Sequence, residues 1–292
     1  MMPLPGRWLS SLIVRASRST VLFDCGEGTQ LALRAVRWRL SDIDYVCISH
    51  FHADHVSGLV GILLMLANAD RREPITILGP ENLERIVAGQ RLIAPFLPYE
   101  VNCHELAPGD AFEAGVFRGR CVAGRHGVPC LAYRLDLPRH RRFLPEKAKA
   151  LGIPVALWKP LQLGETVLHD GRTIRPDEVL GKPRRGLSVA YVTDTRPTRQ
   201  VAALVENVDL LVCEATLPSD EEDEERAVET GHMTFAEAAQ LAKNARVHEM
   251  WLTHFSPSVP QPEVYSDQAA SVFPGARIGR DGMCTSLRFR RE

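Results

Sequence analysis

Short apolar runs rich in β-branched residues recur along the chain. Those at 11–15, 19–24, 43–49, 75–79, 116–125, 131–136, 187–193, 208–214, 249–254 and 284–289 predict strands. Between them, apolar positions at helical spacing predict helices over 29–37, 57–69, 81–92, 197–206 and 234–245. Thr234 followed by Glu237 is a capping box, which sets the start of the last helix near Phe235. No internal repeat is evident, and no Ser/Gly linker splits the chain. The expected fold class is therefore α/β, with one domain spanning 1–292.

The stretch 136–186 departs from this pattern, with scattered prolines and weak periodicity. It carries eleven Lys and Arg against six Asp and Glu, a net +5 in a chain whose total is −1. Such an inserted arm is either a solvated surface loop or a grip for a polyanion. The run Asp220–Glu225 predicts a solvated acidic loop.

Composition narrows the field. With 45% hydrophobic and 24% charged residues in 292, wholesale disorder and a fibrous chain are excluded. The near-zero net charge means that any nucleic-acid surface must come from local clustering. The longest apolar stretch, Leu59 to Ala67, is far short of the roughly 20 residues a membrane span needs. The opening MMPLPGRW has no apolar core, so no signal peptide is expected. Seven cysteines without a CxxC pair read as reduced thiols, hence a cytoplasmic protein.

The strongest chemical signal is Ser49-His50-Phe51-His52-Ala53-Asp54-His55, directly after an apolar strand. In an extended segment His50 and His52 point the same way, and Asp54 and His55 follow on the turn into a helix. One loop can therefore offer two ligands to one ion and two to a neighbour. Imidazole with carboxylate suits zinc, with manganese or iron as alternatives. Three more strand ends carry a ligand type: His126, Asp194 and His254. Ligands gathered at the C-terminal ends of buried strands are a recurrent arrangement in α/β active sites.

The spacing HxHxDH … His … Asp … His resembles the metallo-β-lactamase superfamily. Arg7-Trp-Leu-Ser-Ser-Leu, Phe23-Asp-Cys-Gly-Glu-Gly-Thr-Gln30, Glu214-Ala-Thr, Gly231-His-Met-Thr234, Asp194-Thr-Arg-Pro197 and Thr253-His-Phe-Ser256 resemble one branch of it, the ribonuclease Z family of tRNA 3′-processing endonucleases. The resemblance implies an αβ/βα sandwich of two facing mixed sheets with outer helices and the metals at one edge. It implies two Zn²⁺, one held by His50, His52 and His126 and the other by Asp54, His55 and His254, with Asp194 bridging. It further implies that Asp54 accepts a proton, that the substrate is precursor tRNA, and that the protein is a homodimer in which one subunit's arm serves the other's site. Where the family's arm carries a Pro-Gly-rich tip, this chain reads Ile153-Pro-Val-Ala-Leu-Trp158. The family's His-Glu-Ala-Thr segment begins with Cys213 here, and its opening strand and Gly-Thr-Gly turn have no counterpart before Pro5.

In such a site a metal-activated hydroxide attacks the phosphodiester, and the departing 3′-oxygen needs a proton. His232 is the candidate donor, and Glu214 the group that orients it. Asp24 is expected to buttress the metal loop, with the following glycines allowing close backbone approach. Arg139, Arg141, Arg142, Arg184 and Arg185 cluster near the two ends of the arm and are the candidate RNA contacts. His104, His140, His169 and His248 read as surface or satisfied side chains. Two other functions compete: a small-molecule hydrolase for a phosphodiester, thioester or lactone, and a zinc-stabilised RNA-binding module. A +5 arm argues against the first, and a ligand set open to a bridging group argues against the second.

Overall fold

The structure, a computed structural model, describes residues 2–36, 42–219 and 221–290. The first sheet begins with the hairpin of β1 (Leu12–Ala16) and β2 (Ser19–Phe23). It continues through α1 (Thr29–Ala35), β3 (Tyr45–Cys47), α2 (Ala53–Val56), α3 (Leu59–Asn68), β4 (Ile75–Gly79), α4 (Leu83–Arg91) and β5 (Val101–Glu105). Its order is β1-β2-β3-β4-β5, and β2 through β5 run parallel. Continuous apolar runs suit strands covered on both faces, and β2 is buried along its whole length.

The antiparallel strands β6 (Ala111–Ala114), β7 (Phe117–Ala123) and β8 (Leu131–Arg139) open the second sheet. Next in the chain come α5 (Pro145–Ala150), α6 (Trp158–Gln162) and the hairpin β9 (Val167–His169) with β10 (Arg172–Ile174). The chain returns along β11 (Arg184–Val192) to α7 (Arg199–Leu204), β12 (Leu210–Glu214), α8 (Glu221–Thr230), α9 (Phe235–Asn244), β13 (Glu249–Thr253), α10 (Ser266–Ala270) and β14 (Ala276–Ile278). The order is β14-β13-β12-β11-β8-β7-β6, with β11 to β14 parallel.

The two sheets meet through aromatic rings. Phe23 of β2 stacks on Tyr191 of β11 at 5.3 Å and tilts against Tyr133 of β8 at 5.7 Å. Burying Phe23 alone contributes roughly 1.5–3 kcal/mol. Leu59, Ile62, Leu63 and Leu66 of α3 cover the first sheet, and Val201, Phe235, Ala238 and Leu241 cover the second. Thr234 Oγ1 accepts from Glu237 N and the Glu237 carboxylate accepts from Thr234 N, so the expected capping box starts α9.

The chain forms two compact units, one of residues up to 136 with 188–287, the other of 137–187 with the C-terminal residues from 288. The smaller unit has its own core of Ala148, Ile153, Leu161, Ile174 and Val179, flanked by Phe143 and Trp158. Its short helices and hairpin escape a periodicity reading because none is long enough to show a period. In the tip stretch Ile153 is buried and Val155 is 71% exposed.

Two expectations are corrected. Residues 284–289 form no strand; the last strand is β14, and the alternation of Leu287 and Phe289 finds no neighbouring ladder. Phe289 instead lies under the Arg139 guanidinium at 5.0 Å. The acidic run is helical from Glu221, as α8, rather than a loop. Glutamates are good helix formers and are favoured at a helix N-terminus by the dipole, and Ala227 gives the helix a buried anchor. The strands at 101–105 and 111–114 leave no clear trace in the hydrophobic pattern, being half-exposed and weakly alternating. Residue 37 of the expected first helix and Asp220 lie outside the described residues.

Candidate metal centre

His50, His52, His126, Asp194 and His254 sit just beyond the C-terminal ends of strands, where the ladder stops and the chain turns, and Asp54 and His55 follow on the short helix α2. Three of the residues that turn there have left-handed backbone: Asp24 (φ 51), Asp194 (φ 44) and His254 (φ 59). Such conformations are strained for residues with a Cβ and persist where surrounding contacts over-determine them.

Four side chains form one group: His50 Nε2 lies 3.0 Å from His52 Nδ1, which lies 3.3 Å from His126 Nε2. Asp194 Oδ2 is 3.5 Å from His50 Nε2 and 3.7 Å from His126 Nε2. The second group is Asp54, His55 and His254. His55 Nε2 lies 3.1 Å from His254 Nε2, and Asp54 Oδ2 lies 3.4 and 3.5 Å from those two nitrogens. The other Asp194 oxygen, Oδ1, is 3.0 Å from His254 Nε2 and 3.5 Å from His55 Nε2. Nitrogen and oxygen ligands about 2.0–2.1 Å from a tetrahedral ion sit roughly 3.3 Å from one another. Both groups have that spacing, so each could hold a divalent ion, with Asp194 offering one oxygen to each.

Surrounding hydrogen bonds fix which ring nitrogen faces inward. His55 Nδ1 donates to Asp24 Oδ2 at 2.8 Å, and His50 Nδ1 faces Ser49 Oγ at 3.0 Å, which itself donates to Asp24 Oδ2 at 2.8 Å. His126 Nδ1 donates to the Gly231 carbonyl at 3.2 Å. His254 Nδ1 donates to Thr216 Oγ1 at 3.1 Å, and that hydroxyl donates to Glu214 Oε2 at 2.6 Å. In all four rings Nε2 is thereby the nitrogen turned inward to offer its lone pair to a metal, His55 after losing its second proton.

Asp24 is wholly buried and also accepts from Ser49 N at 2.7 Å and Tyr191 OH at 3.1 Å. It buttresses the loop as expected. The following turn must pass close beneath the metal loop: a Cβ on Gly26 would meet the Asp54 carbonyl oxygen at 2.0 Å.

Electrostatics follow burial and neighbours. Burial, with the nearby His55 ring, pushes His50 down to about 2, so it is neutral and ready to bind. Burial opposes charge on His55, but the carboxylates of Asp194 and Asp24 outweigh it and raise its pKa well above the ordinary value. Asp194 is held well below the carboxylate range: burial works against its charge, and the surrounding histidines more than offset that.

His232 stands beside this centre, its ring 5.0 Å from that of His126 and 5.5 Å from that of His254. Its Nδ1 donates to Glu214 Oε2 at 3.1 Å. Glu214 is wholly buried and also accepts from Thr195 N and Met233 N. Burial disfavours the charged His232 ring, but the Glu214 hydrogen bond and charge prevail and raise its pKa. Cys213, one residue earlier, points into the apolar core of the second sheet.

The arm arginines lie in the smaller unit. Arg141 donates to the Gly181 carbonyl at 2.6 Å and pairs with Asp177. Arg139 donates to the Arg290 carbonyl at 3.0 Å. Arg142 and Arg185 are exposed, and Arg184 is half-buried.

A family model described as a beta-lactamase superfamily domain matches residues 166–255, and one described as anti-Pycsar protein Apyc1 matches residues 6–100. Ribonuclease Z of Lachnospira eligens is 45% identical to this chain, over 100% of it and 96% of its own length. That of Lachnoclostridium phytofermentans is 43% identical over 99% and 95%. The chain belongs to the ribonuclease Z family. Among solved structures, human tRNase Z, short form, superimposes with a TM-score of 0.70 at 22% identity, over 99% of this chain and 96% of that one. The metallo-beta-lactamase fold protein YhfI of Bacillus subtilis does so at 0.68 and 21%, over 97% and 92%. The chain thus has the metallo-β-lactamase fold, an αβ/βα sandwich as expected.

The fold gathers all seven expected metal residues and the His232–Glu214 pair into one centre. Four further contributors are given no role by the sequence, although three of them fall inside its motif segments: Ser49, Tyr191, Thr216 and Arg196. Ser49, Tyr191 and Thr216 lie within two residues of a strand end and Arg196 four residues beyond one, but a hydroxyl or guanidinium there has no characteristic spacing.

Proposed function

We propose that this protein removes the 3′ trailer from precursor tRNA by hydrolysis at two divalent ions, one of which His50, His52 and His126 would hold and the other Asp54, His55 and His254, with Asp194 as a ligand shared by both. The chain is an endoribonuclease of the metallo-β-lactamase fold acting in tRNA 3′ processing. The observation that carries the two-ion reading is the placement of the Asp194 oxygens, one toward each histidine group. Zinc is the ion this donor set suits best.

Divalent ions, when bound, bring the pKa of water to about 7 and draw charge from a phosphoryl oxygen. The chain's own groups do the rest. Asp54 Oδ2 lies among the second group's nitrogens and accepts the proton given up by water. His232, its Nδ1 held by Glu214, turns its other nitrogen to the site and supplies a proton to the departing 3′-oxygen. Its raised pKa favours the protonated ring that this role needs.

The exposed arginines of the smaller unit, with Arg139 and Arg141 bracing it, take the tRNA body by its phosphates. A homodimer would use the exposed apolar group Leu92, Ile93 and Phe96 after α4. The seven free cysteines suit a reducing cytoplasm.

Incubation with a precursor tRNA carrying a 3′ trailer, followed by end mapping, tests the reading. One internal cut at the trailer junction, lost with a chelator and restored by divalent metal, is expected. Hydrolysis of a small phosphodiester with intact precursor tRNA would overturn it.

A further inference from the structure

His232 is held at two points. Its ring donates to Glu214, and its backbone carbonyl accepts from Arg196 Nη1 at 2.6 Å. The same guanidinium grips both oxygens of Glu237, Nη1 to Oε2 at 2.7 Å and Nη2 to Oε1. Glu237 is itself fixed, because its carboxylate caps α9 by accepting from Thr234 N at 3.0 Å. The Arg196 side chain is only 14% exposed, so solvent screens this pair little.

The backbone around Arg196 is tied just as closely. Its N–H donates to the Arg125 carbonyl at 3.0 Å, and Arg125 N–H donates to Thr195 Oγ1 at 2.7 Å. Thr195 N–H donates to Glu214. The segment Asp194–Arg196 therefore presents the bridging carboxylate, anchors the orienting glutamate, and holds the loop that carries His232. That loop has little slack. Gly231 adopts φ 75, and a Cβ there would stand 3.0 Å from His126 Nδ1.

We propose that Arg196, locked by Glu237, is a positioning residue for the reaction. Its guanidinium sets how far the His232 ring reaches into the metal centre. The inference rests on the reading of His232 as proton donor. Arginine is required because its planar fork can meet a carboxylate with two prongs and still donate to a carbonyl; a lysine ammonium offers no such fixed geometry. Without the fork the loop from Gly231 to Met233 loses its tie to α9, and a displacement of about 1 Å at a catalytic group can cost on the order of 10²-fold in rate.

The test is a double-mutant cycle. Arg196→Lys and Glu237→Gln are each made alone and with His232→Ala. Glutamine can still complete the capping box, so Glu237→Gln leaves α9 started while weakening the grip on Arg196. The readouts are kcat and KM on precursor tRNA, together with bound metal. Each single variant should lower kcat about 10- to 100-fold, with KM and metal content near wild type. In the His232→Ala background neither should lower kcat by more than about twofold, because the two sites act through one group. A wild-type kcat for His232→Ala would overturn the proton-donor reading. An impaired His232→Ala alongside unimpaired Arg196→Lys and Glu237→Gln would overturn the positioning role alone. So would equal losses with and without His232, or loss of metal, since either assigns the pair a general structural duty. If Arg196→Lys does not fold, Glu237→Gln carries the same comparison.

Discussion

Asp24 Oδ2 lies 2.8 Å from His55 Nδ1, at the end of a strand 31 residues earlier in the chain. Neither group is exposed, and the contact decides which His55 nitrogen is left for a metal. Asp24→Asn keeps the shape but puts an amide donor where only acceptors are wanted. Loss of such a supporting group costs about 10- to 100-fold in metal affinity. The variant should bind zinc that much more weakly in chelator competition, with a fold less stable by about 1–3 kcal/mol in denaturant titration. Wild-type affinity would show that the contact is incidental.

Asp194→Ala removes the carboxylate that faces both histidine groups. It also takes a negative charge away from beside His55 and His254. Both tight metal sites should be lost together, and elemental analysis after dialysis reads this directly. Two ions retained per chain would separate Asp194 from the bridging position.

Metal binding should release protons. In the metal-free protein His55 has a raised pKa, because Asp194 and Asp24 outweigh the effect of burial. Below about 6.5, the ordinary histidine value, its protonation stabilises the metal-free fold in full. That stabilisation fades as pH climbs through the raised folded-state value. An ion must displace this proton, so apparent metal affinity should climb with pH over that range. Calorimetry in two buffers of different ionisation enthalpy measures the number released. Zero protons released at neutral pH would contradict the assignment.

The arm arginines divide by what they touch. Arg141→Ala removes the Asp177 pair and the bond to the Gly181 carbonyl, so its first effect should be on stability of the smaller unit, read by proteolysis within 137–187. Neutralising Arg142, Arg184 and Arg185 should raise KM on precursor tRNA. It should also flatten the salt dependence of binding by roughly 0.7–0.9 for each phosphate that is no longer neutralised. An unchanged salt slope would remove this surface from tRNA binding.

Much of the metal centre is legible in the chain because its residues are locally patterned. HxHxDH packs four ligands into six residues, and the remaining ligands follow segments that read as strands, continuous and apolar before Asp194 and His254 and alternating before His126. The capping box of α9 is likewise a purely local signal, and it holds. The strand expected at 284–289 shows the limit of such signals. Alternation states that a segment is able to be a strand, whereas a ladder needs a partner, and none adjoins it among the described residues. The acidic run shows the same limit in reverse, since glutamate repulsion is tolerated once Ala227 anchors one face of α8.

The sequence by itself determined the fold class, the ligand types and the strand ends that carry them, because hydrophobic period and residue chemistry are properties of neighbours in the chain. Only the tertiary structure decided that Asp194 turns one oxygen to each group, that Thr216 joins His254 to Glu214, and that Arg196 reaches 36 residues along the chain to His232. Those bonds join segments brought together by strand pairing within the second sheet and, for the contact of Asp194 with His50, by how the two sheets pack. Hydroxyls and guanidinium groups at strand ends acquire a role only when packing brings an acceptor within about 3 Å.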